Sequence, residues 1–417
     1  MNYLLVGLLV LTLAATLLLG NHRARAQPPA PAITPARVPS GPLVVSTLAG
    51  HPLPDSYGDG PRLAAWFSSL RGLGLDAHGN LYVASSSEIR QVTAAGQVRT
   101  LAGSPPAQYV LLRNGFTTYG DNNPSIDGRG LGARMLPSGP LAVAPDGTVY
   151  FTETNAVRRL SPQGEVTTLG GAMWAGKADV PGDHKGGLTG RARFDQPTAL
   201  VAAPDGSLYV GDREGHAVRR ISPRGQVGRL SGEWKSPISP LSNEGRYISA
   251  SAVAVGPDGA VYVLQGALRR YPAGGGPPVV LAGSDENDPG YVDGRGAAVR
   301  FNRPAGLCVD ADGTVYVADR GNHLIRRASP DGEVTTVAGQ PGVHPLHPAG
   351  FEDVLQRYCP DDNQSGVAPG QLGDYHDGPA VEAHFNHPAA VAQGPGGTLY
   401  VADQDNNCIR VIQPARP

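Results

Sequence analysis

Short apolar runs of about five residues, cut apart by Gly, Asp and Pro, make up most of this chain after residue 42. Around residue 310 the pattern is clearest. Leu307 and Val309 lead to Asp312-Gly313, then Val315-Tyr316-Val317, then Ile325-Arg326, then Pro330 and Gly332, then Val334 to Gly339. β-Branched and aromatic residues between turn-forming clusters predict strands. Four fall near Leu307 to Asp310, Thr314 to Ala318, Leu324 to Ala328 and Val334 to Val337. The links Ala311-Asp312-Gly313 and Pro330-Asp331-Gly332 are hairpin-type turns in which Gly supplies positive φ. Nothing after residue 42 carries helical periodicity beyond a turn or two.

The same phrase recurs six times. Gly79, Gly147, Gly206, Gly259, Gly313 and Gly397 each stand three residues before a Tyr, at intervals of 53 to 84 residues. An aliphatic-Arg pair follows each time, ending in Arg90, Arg158, Arg219, Arg269, Arg326 and Arg410. A repeat of this kind cannot bury its own apolar face and must stack on its neighbours. Four antiparallel strands in each of six units predict an all-β, six-bladed β-propeller. The ends of the chain agree. A fourth-strand phrase ending in Ala338-Gly339 recurs as Leu101-Ala102-Gly103, Leu169-Gly170-Gly171, Leu230-Ser231-Gly232 and Leu281-Ala282-Gly283, and the last repeat lacks it. Its counterpart, Val44 to Gly50, stands before the first repeat. The N-terminal strand is therefore predicted to complete the last blade and close the ring, which pairs backbone groups an open edge would expose.

The Gly-x-aliphatic-Tyr-Val-x-Asp core, together with Asn322-His323-x-Ile325-Arg326, resembles the NHL repeat family, over roughly residues 43 to 413. The likeness is strongest in repeats three, five and six, which carry Asp212, Asp319 and Asp403. Ser85, Glu153 and Gln265 stand there in the other three. The resemblance implies a six-bladed propeller and suggests a bacterial, exported member. The family spans binding scaffolds, RNA-binding domains of animals and a zinc-dependent lyase, and related propellers include gluconolactonases. Membership does not choose among these.

Composition narrows the picture. With 57 Gly, 39 Pro and 6% aromatics the chain reads as strands and tight turns. A net charge of −2 gives no general attraction for nucleic acid or anionic lipid. Residues 1 to 26 read as a signal peptide, with an apolar run from Leu4 to Gly20 and Ala24-Arg25-Ala26 as cleavage site. Arg23 and Arg25 follow the run rather than precede it, so an uncleaved membrane anchor is the alternative. Residues 27 to 42 form a Pro/Ala-rich linker, 43 to 413 the propeller and 414 to 417 a tail. Export to the periplasm, the medium or the cell surface is expected, with a monomeric protein.

Candidate chemistry concentrates on one face. Short turns within a blade share one face, and the second-to-third loops and blade-to-blade connections share the other. Every long insertion, at about 104 to 134, 172 to 193 and 340 to 384, is blade-to-blade. Glu153, Asp212, Asp319 and Asp403 mark a ligand-binding rim on that side. The last insertion holds His344, His347, Asp374, His376, Asp377, His384 and His387, with Cys359 among them. His376, His384 and His387 are the candidate ligands for a divalent metal, Zn or Ca. An exposed His-rich loop is the bland alternative. Cys359 and Cys408 are candidates for a disulfide, and Cys308 reads as core.

The recurring Arg is read as structural, paired with an Asp or Tyr of a neighbouring strand. His216 and His323 are read as turn residues. An Asp-Gly phrase before an aromatic or Met recurs at Asp59, Asp127, Asp293 and Asp377. It reads as a turn or helix cap, with a cation-binding ring of Asp as alternative. No Gly-x-Ser-x-Gly elbow or P-loop occurs. The leading reading is an exported scaffold for a protein, peptide, small-molecule or carbohydrate ligand. The alternative is a metal-dependent enzyme of the lactonase or lyase kind with its site at the channel mouth. Nucleic-acid binding comes third.

Overall fold

The computed structural model describes Val38 and residues 41–51, 58–85, 87–103, 125–171, 187–188, 192–194, 196–212, 217–230, 250–284, 289–340 and 375–415. Six antiparallel sheets follow one another, each with its first strand innermost. Blade 5 is representative: Gly306–Val309, Val315–Asp319, Leu324–Ala328 and Glu333–Ala338 pair in sequence order. The fold is a six-bladed all-β propeller.

Burial explains why the ring holds together. The apolar core is divided into six clusters, and each lies between two successive blades. The cluster between the last blade and the first joins Ala402 and Ile409 to Phe67, Leu73 and Val83. Complete burial of one such large aliphatic or aromatic side chain contributes about 1.5–3 kcal/mol. No blade keeps both faces covered without both neighbours.

The N-terminal strand closes the ring as the sequence predicts. Leu43–Gly50 pairs antiparallel with Cys408–Pro414, from Leu43 opposite Pro414 to Gly50 opposite Cys408. It thereby becomes the fourth strand of the sheet containing Tyr400.

One feature goes beyond four strands per blade. Blades 1, 2, 3, 5 and 6 carry a fifth strand of two residues on the outer edge: Gly60–Pro61, Gly128–Arg129, Gly187–Leu188, Gly294–Arg295 and Gly378–Pro379. Four of these five follow the recurring Asp directly. Gly60, Gly294 and Gly378 have φ of 142°, 146° and 151°, a backbone region that only Gly enters readily. The Asp-Gly phrase is thus an edge strand, not a helix cap.

The Gly that closes the fourth strand in blades 5 and 6 has an equally definite reason. Gly50 and Gly339 have φ of 92° and 98°, and a Cβ there would run into the carbonyls of Asn407 and His323. The strand end can lie against the second-to-third loop only without a side chain.

Candidate functional site

The third-strand Arg is the centre of the most repeated polar assembly in the molecule. Arg90, Arg158, Arg326 and Arg410 have no solvent exposure, and Arg219 and Arg269 have 3% and 6%. A buried guanidinium must be paired and fully hydrogen-bonded to be tolerated. Arg410 donates from Nη1 to the His384 carbonyl (2.9 Å) and to Asp403 (2.7 Å). Its Nη2 donates to the His376 carbonyl (2.8 Å) and to Asp377 (2.7 Å). Arg326 repeats the scheme with the carbonyls of Arg300 and Val292, and with Asp319 and Asp293. Arg158 does so with Arg134, Ile126, Glu153 and Asp127. Arg90 reaches the carbonyls of Trp66 and Gly58, and Asp59.

In each case the two carbonyls belong to an antiparallel bridge within the connector: Gly58 with Trp66, Ile126 with Arg134, Val292 with Arg300, His376 with His384. One guanidinium therefore pins both ends of the connector where it enters the blade. Aromatic rings close over it. Arg410 lies 4.6 Å from the Tyr375 ring centre and 5.2 Å from that of Phe385, a favourable cation–π distance. This accounts for the aromatic that follows each Asp-Gly phrase in blades 1, 5 and 6.

The connector Asp is saturated in the same way. Asp127 accepts from the Thr168 amide and hydroxyl, both at 3.0 Å, as well as from Arg158. Burial alone would raise the Asp127 carboxyl. The Thr168 amide and Arg158 outweigh it and hold the carboxyl below the ordinary range. Asp59, Asp293 and Asp377 make equivalent bonds to Thr100, Thr336 and Thr47. These four carboxylates act as clasps between connector and fourth strand.

The four acids expected on a ligand-binding rim occupy the inner side of the same assembly. Asp212, Asp319 and Asp403 have no exposure and Glu153 has 3%. Asp403 accepts from Arg410, from Asn406 (2.9 Å) and from the Asn386 amide (2.7 Å). Asp319 does the same with Arg326, Asn322 and the Asn302 amide. Asp212 meets Arg219 at 3.3 Å. Burial pushes the carboxyls of Asp319 and Asp403 above the ordinary range despite the facing guanidinium. The geometry of these acids is that of connector anchors.

The candidate metal histidines divide into two groups. His376 and His384 face each other across the blade 6 bridge, with ring centres 5.8 Å apart. His387 belongs elsewhere. Its Nδ1 lies 2.6 Å from Asp405, and its backbone amide donates to Nδ1 of His323 in blade 5 (3.2 Å). The two rings are 4.5 Å apart. In blade 2 Asn155 accepts from the Gln196 amide of blade 3 in the same way (3.2 Å). The His323–His387 contact is thus an inter-blade latch of a type that blades 2 and 3 also share. Among the described residues no group of three or more His, Cys, Asp or Glu side chains is placed to hold a metal ion. Cys408 is a buried free thiol, and its expected partner Cys359 lies outside the described residues. So do His216, His344, His347, Asp374 and the leader. Cys308, on the inner strand of blade 5, packs beside the core and is also free.

Residues 301–327 and 385–412, the hearts of blades 5 and 6, match the NHL repeat family. Two blades of this propeller thus carry NHL repeats. The chain is 24% identical over 339 residues to Teneurin-m of Drosophila melanogaster, covering 73% of this chain and 11% of that protein. It is 24% identical over 414 residues to Teneurin-3 of Danio rerio, covering 90% of this chain and 13% of that protein. The matched region is thus about a tenth of these relatives. An auxiliary nutrient binding protein from Bacteroides thetaiotaomicron shares the fold, with a TM-score of 0.58 at 18% identity. That match covers 89% of this chain and 76% of the neighbour.

The two matched NHL repeats are those with the complete Asn-anchored loop, in which Asn322 and Asn406 bind the buried Asp. Sequence reasoning read the Arg as structural but placed Glu153, Asp212, Asp319 and Asp403 on a ligand rim, and it missed the principal acceptors of the clamp. These are backbone carbonyls, which no residue type announces. Asp405 was also missed; its only signal is its place one residue before the Asn of the NHL loop.

Proposed function

We propose that this protein is an exported binding scaffold whose ligand or partner sits on the face carrying the blade-to-blade insertions. The Arg clamp carries this reading. Each long insertion returns to the ring through a connector pinned by a buried guanidinium, and loops displayed from a rigid ring are the usual seat of recognition. The connectors share their face with the second-to-third loops, as the Gly321 amide bond to the Asn302 carbonyl (2.8 Å) shows. The expected partner is a protein, peptide, small molecule or carbohydrate, bound by a monomer. The near-neutral charge weighs against nucleic acid. The apolar leader and the Pro/Ala-rich tether support export, and the nutrient-binding name of one fold neighbour is in keeping with the reading.

The test is a glycan and peptide array probed with the full chain and with a variant whose insertions 104–124, 172–186 and 341–374 are replaced by short Gly-Ser linkers. Hits that vanish in the variant, with its melting temperature retained, are expected. Hits that persist would move the site off this rim.

The Asp405–His387 pair favours a second reading. A carboxylate-oriented imidazole is the arrangement of a general base, which suits a lactonase- or lyase-like enzyme. Turnover of a lactone by the wild-type chain, abolished in His387→Gln, would put that reading first.

A further inference from the structure

We propose that His376 and His384 form a two-imidazole site for a divalent transition metal on the edge of blade 6. The two residues are directly opposed in an antiparallel bridge, with the His384 amide donating to the His376 carbonyl at 3.2 Å. Their rings are 5.8 Å apart between centres and inclined by 52°. Two imidazoles on one tetrahedral ion, with metal–nitrogen distances of about 2.1 Å, place their ring centres about 5 Å apart. A small side-chain rotation on each side closes that gap.

The backbone under the pair is fixed independently of any metal. A single guanidinium, that of Arg410, holds the carbonyls of both residues at 2.8 and 2.9 Å. Asp377 and Asp403 compensate its charge, so it does not leave the spot strongly cationic. Preorganised backbone under two ligands is what a site with few protein donors needs. His376 is exposed and His384 half-buried, so an ion can reach them.

Among the described residues the pair is particular to blade 6. The same bridge carries Gly58 and Trp66 in blade 1, Ile126 and Arg134 in blade 2, and Val292 and Arg300 in blade 5. None of these side chains is a metal ligand. His387, three residues from His384, is held by Asp405 and the blade 5 latch and is not part of the site. Imidazole nitrogens select Zn, Cu or Ni, whereas Ca requires oxygen donors. Two protein nitrogens leave coordination positions open for water or for a carboxylate or imidazole of a bound molecule.

The test uses the full chain stripped of metal and titrated with Zn²⁺ and with Cu²⁺ by calorimetry at neutral pH. One ion per chain is expected. The double variant H376V/H384R installs the blade 5 residues and keeps both carbonyl acceptors for Arg410, so its melting curve should be unchanged. Its affinity should fall by about tenfold or more. Cu²⁺ bound to the wild type should show two nitrogen donors in its paramagnetic resonance spectrum, lost in the double variant. The variant H387Q should bind as the wild type does. Absence of stoichiometric binding, unchanged affinity in the double variant, or an equal loss in H387Q would each overturn the assignment.

Discussion

Blades 5 and 4 are neighbours in the ring and share one strand plan, yet their outer edges are finished differently. In blade 5 the fourth strand, Glu333–Ala338, is covered by Gly294–Arg295, which pairs with Val334 and Glu333. In blade 4 the fourth strand is Val279–Ala282; among the described residues no fifth strand covers it, and its outer side carries one bridge, from Ala282 to Gly296. The register gives the reason. Arg327 opposes Thr335 in blade 5, and Arg270 opposes Val279 in blade 4. Pro277 and Pro278 therefore stand where blade 5 has Glu333 and Val334. Proline has no amide to give a ladder. The clamp changes with the edge: Gln265 replaces Asp319, and Val280 replaces the Thr336 that binds Asp293. One edge is closed by charge-assisted bonds, the other is guarded by proline.

The largest test of this contrast is removal of the guanidinium. Arg326→Met leaves the buried Asp319 without its cation and two connector carbonyls without a donor. A loss of about 3–5 kcal/mol is expected, because stripping one partner from a buried ion pair leaves the other charge uncompensated. Arg269 donates to the neutral carbonyls of Gln265 and Ala267. Arg269→Met should cost about 1–2 kcal/mol, the scale of lost hydrogen bonds to neutral acceptors. Denaturant unfolding of the two variants measures the difference. Equal losses would mean that the acids facing Arg326 add nothing beyond what the whole partner set of Arg269 supplies.

A second contrast is set by pH. Asp310, below the first turn of blade 5, has no exposure, and Gly256 holds that turn position in blade 4. Burial, reinforced by Asp312, pushes the Asp310 carboxyl up to about 6 from 3.8. A carboxyl raised on folding favours the folded state while protonated. That contribution is complete below about pH 4 and is lost as pH rises through about 6. Asp310→Asn keeps an oxygen for the Asp312 and Thr314 amides, which Asp310 accepts at 3.1 and 3.0 Å. The variant should therefore gain melting temperature over the wild type progressively from pH 4 to pH 7. Asp127, Asp205 and Asp258 are held below the ordinary range and act in the opposite sense, at lower pH. They are common to both proteins and cancel in the difference. A difference that is flat with pH would remove Asp310 from the account.

These contrasts also show what the sequence makes legible. Six repeats, their strands and the closure by Val44 to Leu48 could be read because apolar alternation and turn residues are local signals. The third-strand Arg could be read as structural because it falls mid-strand in every copy. The fifth strands could not, since two residues such as Gly378 and Pro379 carry no periodicity. Nor could the separation of His387 from His384. They are three residues apart in sequence, but Asp405 and His323 draw the first toward blade 5, and only the fold brings those partners close.

The smallest expected effect lies on the blade 4 edge itself. Val279 and Val280 are 53% and 52% exposed, so burial gives neither a strong claim to an apolar side chain. Replacing both by Thr installs the Thr335-Thr336 pair of blade 5. In blade 5 that exchange would matter, because the Thr336 amide and hydroxyl meet Asp293. In blade 4 no carboxylate among the described residues waits at that place, and Thr suits a strand nearly as well as Val. The double change should alter stability by no more than about 0.5 kcal/mol, read from the urea midpoint with an unchanged slope. A gain of about 1 kcal/mol or more would reveal an acceptor for the hydroxyls, making this edge a clasp like the others. A loss of that size would mean the two valines are covered in solution, and the proline-guarded edge would then be a buried one.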